Sequence, residues 1–397
     1  MRIAHLTPSA QLGGAQRVLL DCIRATPAAD VAVISLGEGP LLDFARAAGA
    51  AARVLTPPRG ISAAGDAFAS PGQVGVTLLG ALPALPAFVR RLRDAVAEFQ
   101  PDIVHSHGIK THVLTALVPR HPAVIWHLHD YAGGRSVSSK LLAALGHRCS
   151  LAIAVSESVA RDARIVLPAS VPIDVIHNAV DLCRFRPDGP VLDLDSLAGA
   201  PPAPQGTLRV GLPATFARWK GHDVFLHAVS KLDRRAVRAY VIGGPLYETQ
   251  NSQWSRAELD EMVRRLGLDG TVFFTGPIDD MPGAYRALDI VVHASTRPEP
   301  FGLVIAEAMA CGRPLVVAPL GGASELFVDG RHARSAYGPD ALAAVIGGLM
   351  FDAPRRQAMG RASRLHAESA FGMDRFAGEL TAAVATVLST PAALEAV

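Results

Sequence analysis

The sequence lacks the features that mark several large protein classes. Its four cysteines, Cys22, Cys149, Cys183 and Cys311, show no C-x-x-C spacing. They read as buried or free thiols in a reducing cytoplasm, not as a disulfide framework. No run reaches the ~20 apolar residues that a membrane span needs. The start, "MRIAHLTPSA", is a strand running into a turn and has neither the apolar core nor the cleavage site of a signal peptide. Lysine is scarce beside arginine, and the formal net charge is only +2. No bulk field therefore argues for nucleic acid. There is no fixed-period repeat and no G-x-G-x-x-G fingerprint.

What is present is apolar and punctuated. The chain has 397 residues, 50% of them hydrophobic, too many for one ordinary core, so two domains are expected. Apolar runs such as "RIAHLT", "VAVISL", "ARVLT", "DIVHSH", "AVIWHLH", "LAIAVS" and "IDVIHN" alternate with helical stretches. That alternation predicts a parallel sheet covered on both faces. The pattern fails in "DGPVLDLDSLAGAPPAPQG" and restarts at "TLRVGLPA", followed by "RAYVIGG", "TVFFTG", "DIVVHAS" and "PLVVA". The expected organisation is an α/β protein with a Rossmann-like N-terminal domain, residues 1–187, a linker, 188–206, and a second such domain, 207–370. The cleft between two doubly wound domains is the default ligand site.

One stretch, "RPEPFGLVIAEAMACGRPLVV", carries two glutamates eight positions apart, Glu299 among prolines and Glu307 in an apolar run. Pro300 cannot lie inside a helix, but residues after it can start one. With a helix beginning near Phe301 and Gly302, the first amides, on residues such as Gly302, Leu303 and Val304, lack intrahelical partners. Together with the helix dipole they make an anion site that suits phosphate. A carboxylate only accepts hydrogen bonds, so Glu299 and Glu307 suit hydroxyls on either side of that anion. A nucleoside diphosphate sugar presents its groups in that order. By itself the spacing is weak, and a loop glutamate beside a helix-face glutamate would explain it equally.

Three further clusters weigh on that choice. Arg218, Trp219, Lys220 and Gly221 follow the first strand of the second domain, where a lysine can neutralise a diphosphate and Arg218 can add a planar fork. Gly13 and Gly14, in "GGAQRV", follow the first strand of the chain and open a helix. No acidic residue ends the next strand, which disfavours a dinucleotide fold. "HSHG" and "HLHD" place His105, His107, His127 and His129 at strand ends. Residues i and i+2 of a strand share a face, so each pair points together. Such pairs can ligate zinc, but no complete ligand set stands at diagnostic spacing, and no metal is expected.

Together, "GGAQRVLLD", "PDIVHSHG", "HLHDY", "AVSESVARD", "VIHNAVD", "WKGHDVFLHA", "DDMPGAYRALDIVVHAS" and "PEPFGLVIAEAMACGRPLVV" resemble glycosyltransferase family 4, retaining enzymes of GT-B architecture. The resemblance covers nearly the whole chain and implies two Rossmann-like domains facing a cleft. It implies that Glu299 meets the transferred sugar and Glu307 the ribose hydroxyls. Backbone amides around Phe301, Gly302 and Leu303 would hold sugar and phosphate. Lys220 matches the diphosphate lysine, Gly13 and Gly14 the flexible glycine loop, and His129 the histidine near the anomeric centre. The family's usual arginine ahead of the lysine is absent, since Ala214 and Thr215 stand there; Arg218 is its expected substitute. Residues 371–397 match a helix that crosses back to the N-terminal domain.

The implied function is transfer of a sugar from a nucleotide-diphosphate sugar to an acceptor hydroxyl with retention, in polysaccharide or glycoconjugate synthesis. The alternatives are a GT-B epimerase acting on donor alone, or a non-catalytic nucleotide-sugar-binding subunit. No cofactor is expected. "DLD" at Asp193–Asp195 and "DD" at Asp279–Asp280 read as linker and helix cap, not as a metal-binding carboxylate pair. Acceptor choice, among saccharide, lipid-linked and small-molecule hydroxyls, falls to Pro57–Pro86 and the segment after Tyr131. "VGVTLLGALPALPAFVRRLR" permits peripheral contact with an anionic membrane surface, though a loop and a core-packing helix are favoured. The expected place is the cytoplasm, with the inner face of the membrane as the site of any such contact.

Overall fold

In the computed structural model, residues 1–58, 82–116, 118, 122–134, 136–245 and 252–389 are described. Most of the Pro57–Pro86 segment and one residue of the stretch after Tyr131 lie outside them. The chain forms two compact units, 1–179 with 373–397, and 180–372.

The first unit is built on seven strands: β1 (Arg2–Thr7), β2 (Asp30–Ser35), β3 (Ala51–Val54), β4 (Ile103–His107), β5 (Ala123–Leu128), β6 (Leu151–Ala154) and β7 (Ile173–Val175). They run parallel in the order β3-β2-β1-β4-β5-β6-β7. Every residue of β4 and β6 is buried, as a sheet covered on both faces requires. One face packs Ala4, Leu6 and Val104 on Phe88 and Leu92 of the helix Leu85–Phe99. So the apolar side of the "AFVRRLR" segment is core, while Arg90 is exposed. The helix Met373–Ser389 buries Phe376, Leu380, Ala383, Val384 and Val387, spaced along one face, and packs on the helix Gly14–Ala25.

The second unit has six parallel strands: β8 (Leu208–Pro213), β9 (Val237–Ile242), β10 (Val272–Gly276), β11 (Ile290–His293), β12 (Leu315–Val317) and β13 (Arg334–Ser335). Their order is β10-β9-β8-β11-β12-β13. Residues 188–206 belong to this unit by their contacts. Asp193 caps the short helix Leu194–Leu197. Asp195 is 3% exposed and accepts hydrogen bonds from Arg238 at 2.5 Å, Tyr240 at 2.6 Å, Arg209 at 3.0 Å and the Ala203 amide at 2.9 Å. Burial alone would raise its pKa; the Tyr240 and Arg238 hydrogen bonds outweigh it and hold the carboxyl well below its usual range. Asp280 caps the helix Met281–Arg286 through the Gly283 amide. Among the described residues, no helix is long and apolar enough to cross a membrane.

Candidate functional site

In the second unit the strand order reverses between β8 and β11. Loops at the carboxyl ends of such neighbours form the usual binding crevice of an open α/β sheet. Lys220 lies in the loop after β8 and Glu299 in the loop after β11. The two loops are tied by the Thr296 amide, which donates to the Trp219 carbonyl at 2.8 Å. Gly221 makes this approach feasible. Its φ is +74°, and a Cβ there would stand 1.9 Å from the Ala294 carbonyl oxygen, so only glycine fits.

Three side chains converge on one oxygen of Glu299. Lys220 Nζ donates to Glu299 Oε2 at 2.6 Å and Ser295 Oγ donates at 3.2 Å. His293 Nε2 lies 3.1 Å from the same oxygen and 3.0 Å from Ser295 Oγ. Glu299 is 7% exposed. Burial by itself would raise its pKa, but the adjacent Lys220 charge and the His293 hydrogen bond prevail and hold the carboxyl well below its usual range. Its backbone is clamped as well, the Glu299 amide donating to Leu320 and its carbonyl accepting from Gly322. An ionised, oriented carboxylate results, and the ammonium beside it has further protons to donate.

The predicted helix runs Leu303–Ala310, with Gly302 as its N-cap at φ +100°. Phe301 is buried edge-on against Phe371, ring centroids 6.0 Å apart, so only its backbone is available for binding. The first-turn amides point out of the helix start, as helix geometry requires. In the second turn Glu307 accepts a hydrogen bond from Tyr285 Oη at 2.8 Å. Arg218 is turned elsewhere: its guanidinium bonds Glu258 at 2.5 Å and lies 3.9 Å from the Trp254 ring centroid.

In the first unit the order reverses between β1 and β4. Gly13 caps the helix Gly14–Ala25, and its amide donates to Gln16 Oε1 at 3.2 Å. His129 follows β5 and is half-buried. Its Nε2 lies 2.9 Å from His107 Nδ1, its ring is stacked 4.3 Å from His127, and burial pushes its pKa down to about 3.

Sequence reasoning named Lys220, Glu299, Gly302 and Glu307; it did not name His293 and Ser295, which the structure sets against Glu299, or Tyr285, which it sets against Glu307. The signal for the first two was present: they end the apolar run "DIVVHAS", the position that had drawn attention to the other strand-end histidines.

Residues 12–184 match the family described as Glycosyltransferase Family 4, and residues 207–352 the family described as Glycosyl transferases group 1. The chain belongs to glycosyltransferase family 4 and has the GT-B fold. It is 36% identical over 196 residues to D-inositol 3-phosphate glycosyltransferase 2 of Catenulispora acidiphila, covering 47% of this chain and 44% of that one. It is 39% identical over 119 residues to mannosylfructose-phosphate synthase of Agrobacterium fabrum, covering 29% of this chain and 26% of that one. The chain spans about half the length, or less, of these curated relatives. Among solved structures, Anabaena Alr3699/HepE in complex with UDP and glucose matches 97% of this chain and 100% of its own, at 25% identity and a TM-score of 0.82.

Proposed function

We propose that the protein is a retaining glycosyltransferase that moves a sugar from a nucleoside diphosphate sugar to an acceptor hydroxyl. The observation that carries this is the buried, ionised Glu299 paired with Lys220 immediately before a helix N-terminus. The sugar hydroxyls fall to Glu299, the diphosphate to Lys220 and the amides at Gly302 and Leu303, and the ribose diol to Glu307 and its Tyr285 partner. As the bond to the leaving phosphate breaks, Lys220 and the helix start stabilise the developing charge electrostatically. This assignment requires no metal or other cofactor. The family motifs assign His129 to the anomeric centre, and Gly13 and Gly14 to the donor phosphates. Arg218 joins them only by leaving Glu258. The acceptor is a saccharide, a lipid-linked glycan or a small polyol; with a lipid-linked acceptor, catalysis takes place at the inner membrane face.

The test is a thermal-shift screen against UDP, GDP and ADP sugars, since ligand that binds the native state raises its stability. The UDP complex of the solved relative supports placing UDP sugars first. Incubation with the stabilising donor, alone and with an acceptor panel, follows. Transfer with retained configuration is expected, and Lys220→Ala or Glu299→Ala should each lower it by about 10²–10³-fold. Epimerised donor without acceptor would point to the epimerase instead. Binding with no turnover across the panel would point to a non-catalytic subunit.

A further inference from the structure

The H-x-H pairs are only partly used by the transferase assignment. His5 on β1, His105 and His107 on β4, His127 on β5 and His129 just beyond it crowd one face of the first sheet. Parallel pairing sets His5 opposite His105 and His107 opposite His127. The helix Gly14–Ala25 covers this face and brings in Cys22, whose Sγ lies 3.9 Å from His127 Nδ1. His127 Nδ1 is in turn 3.2 Å from His105 Nε2. One ligand atom from each of Cys22, His105, His107 and His127 lies within 4.8 Å of all the others, and all four residues are at most 1% exposed.

We propose that Cys22, His105, His107 and His127 form a tetrahedral site for a divalent metal of the zinc type in the core of the first unit. Zinc bonds of about 2.0–2.1 Å to nitrogen and about 2.3 Å to sulfur imply edges of about 3.3 Å between nitrogens and about 3.6 Å from nitrogen to sulfur. The 3.2 Å and 3.9 Å separations are already close to these values. The remaining atoms, within 4.8 Å of one another, need to draw in by up to about 1.5 Å. One thiolate and three imidazoles are four donors of the nitrogen and sulfur types that zinc takes, although with more histidine than the usual structural sets. A metal takes the imidazoles in their neutral form and the cysteine as its thiolate. Cys22 gives up its thiol proton to solvent as the sulfur–metal bond forms.

The outer shell is also present. His107 Nε2 lies 3.0 Å from His5 Nδ1, and His107 Nδ1 lies 2.9 Å from His129 Nε2. Whichever nitrogen takes the metal, the other keeps a histidine partner, which can orient the ligating imidazole as an outer-shell acceptor does. The site pins Cys22, and with it the helix that begins at Gly13 and Gly14, to β4 and β5.

This proposal stands apart from the transferase assignment, and its test uses no catalytic assay. The full chain, freed of any histidine tag and treated with chelator, is titrated with Co²⁺ and then Zn²⁺. One equivalent of Co²⁺ should give the visible bands of tetrahedral cobalt and a near-ultraviolet thiolate band. Zn²⁺ should displace it and raise the melting temperature. Cys22→Ser should abolish the thiolate band, and Cys22→Ser and His105→Asn should each weaken uptake at least tenfold. Cys183→Ser removes the exposed thiol and should leave the spectrum intact, so this variant still decides the matter if the core variants do not fold. Absence of a one-to-one endpoint, a spectrum unchanged in Cys22→Ser, or loss of the thiolate band in Cys183→Ser overturns the site.

Discussion

Replacing Lys220 with alanine tests the centre of the proposed donor site through stability as well as rate. The ammonium stands 2.6 Å from Glu299 Oε2; at an effective dielectric of about 20 that attraction is about 6 kcal/mol. Two effects reduce the net loss. Ser295 and His293 still contact the carboxylate, and the ammonium's own desolvation cost disappears with it. The expected cost of leaving the carboxylate buried without its cation is about 3 kcal/mol at neutral pH, the low end for a broken buried pair.

The pH dependence supplies the sharper check. In the wild type the Glu299 pKa is depressed below its ordinary 4.5, so its contribution is fully present above that value and is lost as pH falls through the folded-state pKa. Without Lys220, burial becomes the larger influence and the folded pKa rises. The folded variant then holds its proton more tightly than the unfolded chain, and it loses stability as pH rises from about 4 toward neutrality. The difference between the two proteins in urea denaturation should therefore grow from pH 4 to pH 7. A difference below about 1 kcal/mol, or one that does not change across that range, would refute the buried-pair argument.

Three other perturbations follow from the same geometry. Gly221→Ala places a methyl group 1.9 Å from the Ala294 carbonyl at φ +74°; thermal denaturation should show a loss of about 3 kcal/mol or more, with turnover reduced at least tenfold as Lys220 shifts. Tyr285→Phe removes the hydrogen bond to Glu307; steady-state kinetics should show donor KM raised about tenfold with kcat little changed, the mark of lost uniform binding. His222 is buried with both ring nitrogens unpartnered, and burial followed by the Lys220 charge pushes its pKa from 6.5 down to about 4. Its contribution is present above pH 6.5 and declines toward pH 4, so wild type should lose about 2.5 kcal/mol more than His222→Phe between pH 7 and 4.5 in urea titrations.

The fold was legible because strands buried on both faces read as continuous apolar runs, and "LAIAVS" or "DIVVHAS" cannot hide among helices of this composition. Lys220 and Glu299 were legible because the residues after such strands face the binding crevice. Their mutual ion pair was not, since it depends on β8 and β11 being neighbours although they are far apart in sequence. The same reason concealed Asp195. A single carboxylate reaching Arg209, Arg238 and Tyr240 leaves no local trace in a Pro/Ala-rich stretch that reads as a linker. The H-x-H pairs were visible, but their assembly with Cys22 requires the register of His107 against His127 and a helix laid across them.

The first unit is discontinuous, completed by residues 373–397, whereas 180–372 is one uninterrupted segment. During synthesis the ribosome releases every residue of the later unit before the earlier one receives its last helix. The usual order of maturation, amino-terminal part first, is thereby inverted. Until Met373–Ser389 emerges, the helix Gly14–Ala25 lacks its neighbour, and the face it will bury is open to a chaperone.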